Sequence, residues 1–106
     1  MKIFMLYTGS GPLVIMTSYR SVDTPGLLEK LSAKGIHKFI AHEIPVKMAQ
    51  ERYGGHFEMV QGNLDESDDL RVLDYNGERA FRLFRFDELG QAHKYEPDVY
   101  YDKELP

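Results

Sequence analysis

The chain has 106 residues, 42% of them hydrophobic and 28% charged, the composition of one ordinary globular domain able to bury a core without disulfides. Its formal net charge of −4 argues against a nucleic-acid partner, because phosphate binding needs clustered Lys and Arg. It has no cysteine, which excludes thiol catalysis, a cysteine-based zinc site and a disulfide framework.

Lys2–Thr8 and Leu13–Ser18 are short, nearly continuous apolar runs rich in Ile, Val, Phe and Tyr. Runs of that length between turn residues suit strands buried on both faces, and the Gly-Ser-Gly-Pro spacer predicts an antiparallel hairpin. The first run is too short for a signal peptide's apolar segment and follows only a thin basic stretch. No run reaches the roughly 20 apolar residues of a membrane span, so a cytoplasmic, non-membrane protein is expected.

Asp23-Thr24-Pro25 is a helix start, with a capping side chain before a proline at the first turn. Leu27, Leu28 and Leu31 form its apolar stripe, and Gly35 supplies the left-handed stop. Ile36–Glu43 reads as a strand. A second short helix is predicted from Pro45 to Tyr53, where Val46, Ala49 and Tyr53 share a face and Gly54-Gly55 ends the run. His56–Gln61 reads as a further strand, so that strand, helix and strand in succession suggest a parallel crossover.

Asn63–Asp69 is an acidic loop. Leu70–Phe86 carries Asn76-Gly77, the favoured pair for a two-residue type I′ turn, and predicts a β-hairpin. In its register Asp74 faces Arg79, Val72 faces Phe81, Arg71 faces Arg82 and Leu70 faces Leu83. The predicted order is ββαβαβββ, an α+β domain whose mixed, mostly antiparallel sheet has about six strands beside two short helices. This single domain is expected over residues 1–90, with 91–106 a tail either docked on the surface or disordered.

Two short helices cannot cover both faces of such a sheet, and both faces of the predicted hairpin are partly apolar. Exposed apolar patches beyond a few hundred Å² are uncommon on monomers, so a covering partner is expected, most simply a second copy in a homodimer. Leu73, Tyr75, Phe84 and Phe86 on the hairpin and Tyr100 in the tail are the expected interface residues. Like charges directly opposite are mildly destabilising. The facing Arg71 and Arg82 therefore make a candidate anion clamp, since guanidinium groups hold phosphate or carboxylate in a fork.

Other motifs carry less. Gly9-Ser10-Gly11 lacks the third glycine and the Lys-Ser/Thr of a phosphate loop, and a hairpin turn accounts for it. His56 and Glu58 would point the same way on a strand, near His42, yet no metal-binding motif is present, so no metal and no cofactor are expected. The acidic run Asp65–Asp69 misses the glycine and glutamate positions of a calcium loop.

Two functional readings follow. The first is a small non-enzymatic protein acting through protein contacts or its own dimer. The alternative is an anionic-ligand protein or minor enzyme using arginine and histidine. The first is favoured, because no convergent polar cluster of the kind an active site needs is legible.

Overall fold

The computed structural model describes residues 1–64 and 70–95. They form a five-stranded sheet with four α-helices, an α+β domain in which every adjacent strand pair is antiparallel. The centre is the first hairpin. Strand β1 (Lys2–Thr8) pairs with β2 (Gly11–Thr17) from Lys2↔Thr17 to Thr8↔Gly11, as the sequence predicts. The turn is tightened by the Thr8 hydroxyl, which donates to the Gly11 carbonyl at 2.9 Å and accepts from the Ser10 N–H at 3.1 Å.

Helix α1 (Pro25–Ala33) lies where Pro25 and the leucine stripe place it. It ends as Gly35 enters the left-handed region at φ 84°, with the Lys34, Gly35 and Ile36 N–H groups closing on the last carbonyls. Strand β3 (Phe39–Ile44) then adds to β1 in antiparallel register. The sheet order is β4-β2-β1-β3-β5, with β4 (Leu70–Asp74) and β5 (His93–Tyr95) at the edges. The expected parallel crossover from the Ile36–Glu43 strand to His56–Gln61 is corrected: β3 pairs antiparallel with β1 and β5, and the second segment is no strand.

The His56–Gln61 strand is also corrected. After α2 (Val46–Tyr53), Gly54 turns the chain at φ 57° and a new helix, α3 (Gly55–Gly62), begins. Phe57 and Val60 stand three apart and both are buried, the spacing of a helix face rather than a strand.

The larger correction concerns Leu70–Phe86. Only its first arm is a strand; Asn76 caps a helix, α4 (Gly77–Leu83), instead of turning a hairpin. The Asn76 side chain accepts from the Arg79 N–H at 3.0 Å, and neither Asn76 nor Gly77 takes the positive φ that a type I′ turn requires. Gly77 is needed for a different reason. A Cβ there would lie 3.0 Å from the Pro12 ring, so its bare backbone lets α4 rest on the first hairpin. The second arm is helical because Ala80 and Phe84, four apart, both face the core.

Both sheet faces are covered by the chain itself, so the molecule is a three-layer structure with four helices rather than two. On one face Phe4, Leu6, Ile15 and Phe39 pack with Leu27, Leu28 and Leu31 of α1. On the other, Ile3, Met5, Val14 and Met16 pack with Ala49, Phe57, Ala80 and Phe84 of the remaining helices. After a short 3-10 turn (Phe86–Glu88), His93–Tyr95 pairs with β3, so the sheet extends into the segment read as a tail. Tyr95 docks on Phe39 with ring centroids 5.3 Å apart. Tyr100 and the acidic run Asp65–Asp69 lie outside the described residues.

Candidate functional site

Cross-strand pairing decides which side chains gather on each face. Ile3↔Ile44, Met5↔His42 and Tyr7↔Ile40 are direct partners of β1 and β3, so all six point toward the side that carries α2, α3 and α4. The helices bury the first of these pairs and Met5. At the far end of the strands Tyr7 remains 43% and Ile40 39% exposed.

Two phenylalanines from the chain's last third complete this open end. Phe81 stands at the edge of the α4 face that buries Ala80 and is left half-exposed there, and Phe86 opens the 3-10 turn. Their ring centroids lie 5.4 Å apart in edge-to-face orientation. Tyr7 stands 6.0 Å from Phe81 and 6.3 Å from Phe86. His42 lies 5.0 Å from Phe86, its plane tilted by 30°, and its Nδ1–H donates to the Gly90 carbonyl at 3.2 Å. Phe81 and Phe86 are each 42% exposed. Together with Ile40 and Ala92 these rings line a shallow apolar cavity of about 340 Å³ with no charged side chain among the described residues of its wall.

A buried polar knot holds the patch's supporting elements. Asp74, at the end of β4, is wholly buried and receives the Tyr53 hydroxyl at 2.7 Å, the Asn76 N–H at 2.8 Å and the Arg79 Nη2 at 2.6 Å. The Arg79 Nε donates to both carboxylate oxygens at 3.1 Å. Burial alone would raise the Asp74 carboxyl; the bonds from Arg79, Tyr53 and Asn76 outweigh it and hold the carboxyl below its ordinary range. Burial, with the neighbouring Asp74 charge, pushes the Tyr53 phenol up.

His56 donates from Nε2 to the Leu73 carbonyl at 2.6 Å, tying α3 to β4. Arg52 bridges α2 to the region after α4: it donates to the Leu83 carbonyl, pairs with Glu88 at 2.8 Å and lies 5.4 Å over the Phe84 ring. These polar groups are spent on joining elements.

A polar cleft of about 620 Å³ opens on the other side of the sheet, between Arg20, Asp23, Glu43, His93 and Tyr95. Its carboxylates have neighbours already, since Asp23 accepts from the Ser21 hydroxyl and Glu43 pairs with Lys2 at 2.9 Å. Burial, then the Asp23 charge, raises the Tyr95 phenol.

The residues singled out from sequence are dispersed. Arg71 is on β4, where its Nε donates to the Asn63 carbonyl at 3.2 Å, and Arg82 is on α4, so the cross-strand facing that suggested a clamp does not exist. Leu73 and Phe84 are interior residues rather than surface ones, because the helix takes the place of the hairpin's second arm. Tyr75, the residue after β4, is 81% exposed, and Phe86 belongs to the aromatic patch. Tyr7, Ile40, His42 and Phe81 were not foreseen. Glu58 and His56 share a helix, not a strand, and among the described residues no cluster of His, Asp and Glu could hold a metal. Among the same residues no helix is long and apolar enough to cross a membrane. Compared with protein-family models, with curated proteins and with solved structures, the chain matches none.

Proposed function

We propose that this chain acts by association rather than catalysis, with the Tyr7–Ile40–His42–Phe81–Phe86 patch as the contact surface and a second copy of the chain as its first occupant. The observation that carries this reading is the clustering of half-exposed aromatic rings around an uncharged cavity. Aromatic residues are enriched, and charged residues depleted, at the centres of protein interfaces. An uncharged patch meets its own copy without like-charge repulsion, although each chain carries −4 overall. A twofold pairing also lets each phenylalanine fill the other copy's cavity, and such pairs are the commonest symmetric assembly.

The test is mass in solution. Sedimentation at about 50 μM, well above the dissociation constants of specific interfaces, is expected to give twice the 12.3 kDa of one chain. The double substitution Phe81→Glu with Phe86→Glu is expected to return it to a monomer, since both side chains lie at the surface and the core is untouched. A wild-type monomer at that concentration overturns self-association, as does a double variant that still dimerises.

A further inference from the structure

On the far side of the first hairpin from the aromatic patch, a second hollow of about 670 Å³ is formed where the β1–β2 turn meets the loop after α1. Its composition differs from the rest of the molecule. Leu13, Ile36 and Val72 make an apolar floor, Tyr75 stands at the rim, and Lys34 and Lys38 reach it from either side of Gly35 and His37. The chain has 17 Asp and Glu against 13 Lys and Arg, yet among the described residues no carboxylate lines this hollow. Neither lysine makes an ion pair with a described residue, whereas Lys2 is paired at the other end of β1. His37 is held by a hydrogen bond of 3.2 Å between its Nδ1 and the Ser32 hydroxyl.

We propose that this hollow binds a flat-ringed organic phosphate, of which a nucleoside monophosphate is the representative. A phosphate monoester carries about −1.5 to −2 charges at neutral pH and suits two ammonium groups with no competing carboxylate among the described residues. The ring requirement comes from Tyr75. A tyrosine 81% exposed beside an apolar floor presents a ring face for stacking, and stacking on such a ring tolerates any base. Of the neighbouring hydroxyls, Thr8 is already engaged within the turn, while Ser10 lies at the hollow's wall with its side chain exposed and is placed to meet a phosphate oxygen or a sugar hydroxyl. The volume lies within the range of small-molecule sites. The site is independent of the aromatic patch, so its occupancy and the dimer are separate properties.

Titration of ¹⁵N-labelled full-length protein with adenosine 5′-monophosphate, adenosine and inorganic phosphate, each in parallel, tests it. Saturable shifts are expected with the monophosphate at the amides of Gly9, Ser10 and residues 34–38, with adenosine and inorganic phosphate each at least about tenfold weaker, because each supplies one half of the recognition. Lys34→Gln with Lys38→Gln is expected to weaken the monophosphate about tenfold or more and leave adenosine unchanged. Tyr75→Ala is expected to weaken the monophosphate and leave inorganic phosphate unchanged. All three side chains are exposed, so the fold persists in each variant. No saturation by the monophosphate at 10 mM overturns the site (about the weak limit of specific recognition). Equal binding of adenosine and the monophosphate, or shifts that persist in the double lysine variant, overturn it as well.

Discussion

Asp74 organises the turn after β4. It is a wholly buried carboxylate whose partners come from three elements: Tyr53 of α2, Asn76 at the cap, and Arg79 of α4. Because its folded-state pKa lies below the unfolded value of about 3.9, acid is taken up by the unfolded chain first. Its stabilising contribution is complete above about pH 5 and is lost as pH falls through the folded value. Tyr53 behaves oppositely. Its phenol is raised in the folded state, so stability is complete below about pH 10 and declines as pH rises and the unfolded chain ionises. Asp74→Asn keeps the shape but removes the charge that Arg79 pairs with, and is expected to lower stability at pH 7 by about 1–3 kcal/mol. Urea midpoints taken at pH 7, 4 and 3 are expected to fall less steeply in that variant than in wild type. Parallel acid profiles would mean that Asp74 is not the titrating group. Tyr53→Phe is expected to flatten the decline above pH 10 instead, and to leave the acid limb in place.

At the level of elements, the first half of the chain was readable because local and tertiary preferences coincide there. Pro25, the leucine stripe and Gly35 name one helix, and two apolar runs across a short turn name one hairpin. Asn76-Gly77 was misread because the same pair serves two structures. Asn favours the turn through its tolerance of positive φ, and favours the helix cap through its side-chain oxygen. The helix prevailed through Asp74, which draws Arg79 back over the first turn, and through Ala80 and Phe84, which bury a helical face. The segment after Gly54 failed for a related reason, since six residues are too few to separate helix from strand by period. Of the candidate site, only Phe86 was legible; Tyr7 and Ile40 become neighbours of Phe81 only once α4 is known to be helical. A mutational pair separates cap from turn. Asn76→Ala is expected to lower stability by about 1 kcal/mol and Asn76→Ser to change it by only a few tenths, because serine caps a helix well. A type I′ turn would rank them differently, with serine nearly as damaging as alanine, since neither tolerates positive φ as asparagine does. Thermal unfolding of the two variants beside wild type reads the difference.

For the whole molecule, the covering of both sheet faces changes what association has to accomplish. An open hydrophobic face would require a partner for folding, whereas here each face has its own helical layer and the Tyr7–Phe81–Phe86 end is left partly uncovered. The chain therefore has a core of its own, and the proposed pairing would add to a stability that already exists. The proposed dimerisation would be linked to unfolding: anything that binds the native state and not the unfolded one raises apparent stability by mass action. The midpoint of thermal unfolding is accordingly expected to rise as chain concentration increases from about 1 to 100 μM, a range spanning moderate interface affinities. The Phe81→Glu, Phe86→Glu variant is expected to unfold at one temperature throughout that range. Salt provides an independent check on the chemistry of the contact. With no charged side chain of the described residues in the cavity wall, raising NaCl from about 0.05 to 0.5 M shortens the screening length several-fold yet is expected to leave the proposed dimer intact. Dissociation by salt would assign the contact to ion pairs elsewhere on the surface, and the aromatic patch would lose its role.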